Sequence, residues 1–185
     1  DVSVNVSWTQ SIAATANVPR HLEESLFSRP LTLQTPWRLV FSHNAEWHVF
    51  NQTESVIMLR QIRNGALISQ CNISAGVLMP PGQYTPDADF RSDVETAIFP
   101  RSGHVTSEET VRDDKQWRMR HVRASGRVSD VEIIWDYYLC AAASGEQFSL
   151  MFSHSATDNE LFGDESTQLL NSLSLGRHPP ALPFR

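Results

Sequence analysis

Apolar and polar residues alternate along most of this chain with a period of two, the period at which successive side chains of a strand point to opposite faces. The clearest stretch runs from Gln116 to Leu175. From Val131 the odd positions Val131, Ile133, Trp135, Tyr137, Leu139 and Ala141 make one continuous apolar face. The even positions Glu132, Ile134, Asp136, Tyr138, Cys140 and Ala142 mix acids with aromatics, which suits a face only partly covered. Just before them, Trp117, Met119 and His121 alternate with Arg118, Arg120 and Val122, and Ala124-Ser125-Gly126-Arg127 suits a reversal. A hairpin there brings arginines near Glu132 and Asp136, cross-strand pairs that contribute about 0.2–1 kcal/mol each. After the Ser144-Gly145-Glu146 turn, Phe148, Leu150 and Phe152 form another strand face. Thr157 or Asp158 then caps a helix that carries Phe162, Leu169, Leu170 and Leu173 on one side, and Gly163 weakens its continuity.

The earlier part of the chain reads in the same way. Val2, Val4, Val6 and Trp8 alternate at once, and Pro19, Leu22 and Leu26 suit a short helix near 18–28. Leu31 and Leu33 suggest a strand, followed by Thr35-Pro36-Trp37. Trp37 to Phe41 and Glu46 to Phe50 read as paired strands around the turn Ser42-His43-Asn44-Ala45. Val56 to Arg63 and Ala66 to Ser74 flank Asn64-Gly65, two residues that tolerate positive φ and mark a tight hairpin. Thr85-Pro86 opens a helix with Phe90, Val94, Ala97 and Ile98 as its buried stripe, and His104 to Val111 returns to the sheet. Hairpins with a few isolated helices predict an α+β fold: a single domain over 1–175, with an antiparallel sheet of about six to eight strands and helices packed on its faces. The strand and helix of 1–28 can be an extension, and the Pro-rich 176–185 leaves the domain as a tail.

Composition narrows the class. The chain has 185 residues, 41% hydrophobic and 19% charged, enough for one sizeable core. A net charge of -6 argues against nucleic-acid binding, which needs a basic surface. No apolar run approaches the ~20 residues of a membrane span. Lys115 is the only lysine, an arginine bias typical of GC-rich genomes. A strand that begins at the second residue points to a mature product after signal cleavage or to a domain of a longer polypeptide, which slightly favours an extracytoplasmic or secreted protein. Cys71 and Cys140 both fall in predicted strands and form a disulfide if those strands are neighbours, or otherwise a buried pair of free thiols. Asn5-Val6-Ser7, Asn51-Gln52-Thr53 and Asn72-Ile73-Ser74 match the short glycosylation pattern.

The order of Thr35-Pro36-Trp37, hairpins, a mid-chain helix, three long strands and a closing helix resembles the PsbP-like family. The match is closest at Trp135-Asp136-Tyr137-Tyr138-Leu139, the Ser144-Gly145 turn, Phe148 to Phe152, and Phe162 with Leu169, Leu170 and Leu173. It covers about residues 29–175. The resemblance implies an α/β/α sandwich and a non-enzymatic binding or assembly role; no photosystem-specific or Ran-specific residue carries over.

Candidate chemistry is sparse. His43 and His48 flank a turn with Glu46 between them, and they ligate zinc only if their side chains converge. Ser153-His154-Ser155 sets hydroxyls beside a histidine, but neighbouring strand residues face opposite ways. Asp87, Asp89 and Asp93 lie in the first turns of a helix, where the dipole accounts for acids without calcium. There is no G-x-S-x-G elbow and no glycine-rich phosphate loop. Of the five tryptophans, Trp47 beside the His43–His48 turn is the candidate surface anchor, so His43, Trp47 and His48 make the expected interaction surface. The expectation is a soluble, monomeric, non-catalytic interaction or accessory domain of a bacterial protein, with an unidentified protein partner and no cofactor. The alternatives are a small-ligand carrier or sensor that binds between sheet and helices, and a metal-dependent hydrolase.

Overall fold

In the computed structural model of the protein the described residues are 31–34, as backbone, and 38–176. The strand expected from Val2, the helix near 18–28, Thr35-Pro36-Trp37 and the tail beyond Gly176 lie outside them. The strands are β1 (Leu31–Gln34), β2 (Leu39–His43), β3 (Trp47–Gln52), β4 (Val56–Arg63) and β5 (Ala66–Ala75), followed after the first helix by β6 (His104–Asp113), β7 (Trp117–Val128), β8 (Val131–Ala142), β9 (Gln147–Ser155) and β10 (Ser174–Leu175). The helices are α1 (Asp87–Ile98), α2 (Asn159–Phe162) and α3 (Glu165–Asn171). Seven strands form one antiparallel sheet in the order β3-β4-β5-β9-β8-β7-β6, and β1, β2 and β10 form a second sheet of three. The described residues make a single α+β domain, as the alternation predicted.

Both faces of the large sheet are covered by helices. On one face Phe148, Leu150 and Phe152 of β9 share a core with Trp47 of β3, Ile57 and Leu59 of β4 and Ile73 of β5, with Phe162, Leu169 and Leu170 packed over them. Burial of each such side chain contributes about 1.5–3 kcal/mol. The opposite face carries a smaller core in which Phe90, Val94 and Ile98 of α1 pack on Val122, Ala124, Trp135 and Leu139. Of the odd positions of β8, Ile133, Trp135, Tyr137 and Leu139 form the expected apolar face, and it lies under α1, while Val131 is exposed. Its even positions are not the half-covered set: Tyr138, Cys140 and Ala142 belong to the larger core. A central strand between two helical layers has no solvent face.

The turns follow local chemistry with three corrections. Asn64 and Gly65 take φ of 53° and 77° and close the β4–β5 hairpin as predicted. β7 runs straight through Ala124–Arg127, however, and the reversal comes at Ser129 and Asp130, with φ of 49° and 66°. The register then places Arg123 opposite Asp136 and Arg127 opposite Glu132, while Arg118 and Arg120 face Ala141 and Leu139 and reach Asp87 of α1 instead. β2 and β3 do not pair: β2 joins β1 and β10 in the small sheet, and β3 joins β4. The side chain of Asn44 accepts a 3.0 Å bond from the Glu46 N–H and turns the chain from one sheet to the other. Finally, the closing helix is two pieces, because Gly163 at φ 55° interrupts it.

Candidate functional site

A mostly apolar concavity follows from how α1 sits. Its buried stripe Phe90, Val94 and Ile98 repeats every four residues and anchors it over β7 and β8. Ala97, expected in that stripe, is turned aside. It lines a crevice of about 320 Å³ between α1, β8, β9 and the segment 76–85. Phe90, Val94, Ala97 and Leu139 form its apolar walls, Tyr137 and Ser149 its floor on the sheet, and Asp93 is its one charged residue. Concave, mostly apolar sites of roughly 300–1,000 Å³ are the size that takes small ligands.

The segment that ends the crevice is fixed by backbone pairing. Gly76 N–H donates to the Gln147 carbonyl at 2.7 Å, Met79 to Gly145 at 3.0 Å and Gly82 to Ala143 at 3.0 Å. The buried Gln147 amide completes the join: its Nε2 donates to the Val77 carbonyl at 2.9 Å and its Oε1 accepts from the Thr85 N–H at 3.0 Å. Gly145 takes φ of 104°, and a Cβ there would stand 2.0 Å from the Met79 carbonyl oxygen. Beside this wall Val77 and Leu78 are 72% and 71% exposed, an apolar lip. Burial pushes the Tyr137 hydroxyl up, opposed by the charge of Arg101.

A second constellation lies on the other face, beneath α2 and α3. His121 Nε2 is 2.8 Å from Asp136 Oδ1, and its Nδ1 is 3.1 Å from Glu109 Oε1. The ring stacks on Tyr138 at 4.4 Å, and the Tyr138 hydroxyl meets Ser166 Oγ of α3 at 3.2 Å. Arg123 donates to Asn159 Oδ1 at 2.6 Å, and the same oxygen lies 3.2 Å from His154 Nε2. Phe162 fills the middle and stacks on His154 at 4.5 Å. Burial pushes Tyr138 up to about 12 and holds His154 below the ordinary histidine range. A buried His–Asp pair is half of a general-base arrangement. Here both ring nitrogens face carboxylates and the nearest hydroxyl is turned to Ser166, so the geometry anchors helices to the sheet.

The residues singled out in the sequence do not assemble into one surface. Trp47 is a correction: it is 2% exposed, packs edge-on against Phe152 at 6.0 Å and donates its indole N–H to Glu165. His43 is half-buried, with its ring tilted against Phe41 and its Nδ1 2.9 Å from the Asn44 carbonyl oxygen. His48 is exposed and, one residue from Trp47, points to the opposite face of β3. His43 and His48 therefore lie on strands of different sheets, and Glu46, which would complete a zinc set, is bound by Arg63 at 2.7 Å. Among the described residues no group of three or more His, Cys, Asp or Glu is placed to hold a metal.

The exposed aromatic of this hairpin is Phe50, 60% exposed, with the Arg60 guanidinium 3.5 Å above its ring. Sequence reasoning passed over it because an edge strand carries the same alternation as a central one. The disulfide is also corrected. Cys71 on β5 and Cys140 on β8 are buried free thiols with β9 between them, opposite Phe152 and Phe148 respectively, so they stand at least two strand spacings, about 10 Å, apart, beyond the reach of a bridge.

No protein-family model matches the chain, and none of the curated proteins is significantly similar to it. In fold it is similar to a protein from Bacteroides thetaiotaomicron solved by crystallography at 1.50 Å resolution, with a TM-score of 0.54 and 10% sequence identity. The similarity covers 80% of this chain and 48% of that one, so the chain spans about half the length of this neighbour. At that identity the likeness shows the fold alone.

Proposed function

We propose that this chain is a non-catalytic binding domain that receives its ligand in the crevice between α1 and the sheet. The observation that carries this reading is the crevice itself, about 320 Å³ with apolar walls and an end held by Gln147. Its titratable groups, Asp93 and Tyr137, supply no acid–base pair, and the PsbP-like resemblance favours a binding role over an enzymatic one. A thermal-shift screen with small apolar molecules tests it. Stabilisation of the wild type that is lost in Ala97→Trp, which fills the crevice from an exposed position, supports the reading. Failure of every compound to stabilise the protein counts against it.

A second reading, an accessory domain that engages a protein partner, is favoured by the edge strand β3. Its Val49 and Phe50 are exposed, and Val56 of β4 is exposed beside them. Exposed apolar side chains on an edge that no other described strand pairs suit addition of a partner strand. A photocrosslinker placed at position 50 in the source cells tests this. Capture of one discrete protein, absent when the crosslinker sits at exposed Glu132, supports it; the same adducts from both positions, or none, count against it.

A further inference from the structure

We infer that the crevice takes a small molecule with an apolar body and a cationic head, an inference that rests on the binding role proposed for it above. Three observations point this way. The walls Phe90, Val94 and Leu139 offer apolar contact, and the hydroxyls of Thr85, Tyr137 and Ser149 are neutral groups that serve a head of either charge. The Gln147 amide, the strongest neutral polar group on the lining, is consumed at both ends by Val77 and Thr85. That leaves Asp93 as the one charged residue of the lining, and it forms no ion pair among the described residues.

Of the other charges of α1, Asp89 forms no ion pair among the described residues and the rest are committed. Asp87 is held by Arg118 and Arg120, and Arg91 by Glu95 and Glu108. Arg101, whose charge reaches Tyr137, is exposed and donates to the Ala97 carbonyl at 3.1 Å. An anionic head beside Asp93 would meet a like charge, whereas a cationic one would pair with it. At the ~30 Å³ that one water occupies in the liquid, the volume of about 320 Å³ holds a ligand the size of an eight-carbon chain with one head group.

Titration of the full chain with n-octylammonium, n-octanol and octanoate at neutral pH, followed by calorimetry, tests the inference. The expected order of affinity is octylammonium, then octanol, then octanoate. Asp93→Asn should weaken octylammonium by about threefold to fivefold, as for an exposed ion pair, and leave octanol unchanged. Ala97→Trp should remove binding of all three. Both positions are exposed, and thermal unfolding of each variant checks that the fold is retained. If octanol binds and Ala97→Trp blocks it, but octanoate equals octylammonium or Asp93→Asn changes nothing, the cationic inference is overturned and the crevice reading stands. If no probe binds, or Ala97→Trp leaves binding intact, the crevice reading falls and the inference with it.

Discussion

The indole N–H of Trp47 donates a 3.0 Å hydrogen bond to Glu165 Oε2, which ties the first residue of β3 to the first residue of α3 across 118 positions of sequence. The same carboxylate accepts from Asn44 Nδ2 at 3.0 Å and from Arg63 at 3.4 Å, so three donors converge on it. Removing it strands the buried indole N–H and the Asn44 amide, while Arg63 keeps Glu46 and the Leu161 carbonyl. Glu165→Ala should therefore destabilise by about 1–3 kcal/mol and Trp47→Phe by about 1–2 kcal/mol. Urea unfolding of the two variants measures both. Equal stability of wild type and Glu165→Ala would mean that α3 is held by its apolar contacts alone.

Acid should loosen the same cap through His154. Burial holds its folded pKa below the ordinary value of 6.5, so the folded state resists protonation more than the unfolded chain does. The stability it contributes is present above about pH 6.5 and is lost as pH falls through the folded value. His154→Gln should flatten the slope of stability against pH just below neutrality. An unchanged slope in the variant would assign the acid sensitivity to other groups.

Base should act through Tyr138, whose folded pKa lies at about 12 against 10 unfolded. Its contribution is present below pH 10 and is lost as pH rises from 10 towards 12. Tyr138→Phe should remove that loss while costing about 0.5–1.5 kcal/mol at neutral pH for the bond to Ser166. Chemical denaturation at a series of alkaline pH values reads both effects.

The two thiols should be silent in the native protein. Cys71 and Cys140 are fully buried, and burial pushes both thiols up, away from the reactive thiolate. Labelling by a thiol reagent should wait on opening of the sheet and quicken with urea in step with unfolding. Fast stoichiometric labelling in native buffer would show that β5 or β8 opens locally.

Gly145 fixes the end of the crevice, because its φ of 104° and its contact with the Met79 carbonyl leave no room for a Cβ. Gly145→Ala should cost about 1–3 kcal/mol and detach the segment carrying Val77 and Leu78. Hydrogen exchange should then show faster loss of the amides of Met79 and Gly82 than of the β9 ladder. Uniform exchange would mean that this segment unfolds only with the domain.

Most strands, the Asn64-Gly65 hairpin and α1 were legible, because period-two and four-residue spacings are local properties of the sequence. The β7–β8 turn was not. Gly126, read as a turn residue, serves close packing instead: a Cβ there would lie 2.8 Å from the Gly103 Cα and 2.9 Å from the Trp135 ring. Ser129-Asp130 makes the reversal with weaker turn chemistry. Trp47 was misplaced because its burial depends on α3, more than a hundred residues away, and no local pattern encodes that meeting. The His121–Asp136 pair follows from register, since Tyr138 stands opposite His121 and Asp136, two residues along β8, lies diagonal to it, but only once the turn is correctly placed. The crevice depends on how α1 lies over the sheet, and side-chain alternation says nothing about that angle.

The most direct test of the binding role is chemical-shift mapping of the whole chain during titration with n-octanol, a neutral probe indifferent to Asp93. The expected result is saturable shifts at Phe90, Val94, Ala97, Tyr137 and Leu139 that vanish in Ala97→Trp. Shifts scattered over exposed apolar residues such as Val49, Phe50 and Phe99, or no saturation at all, would contradict it.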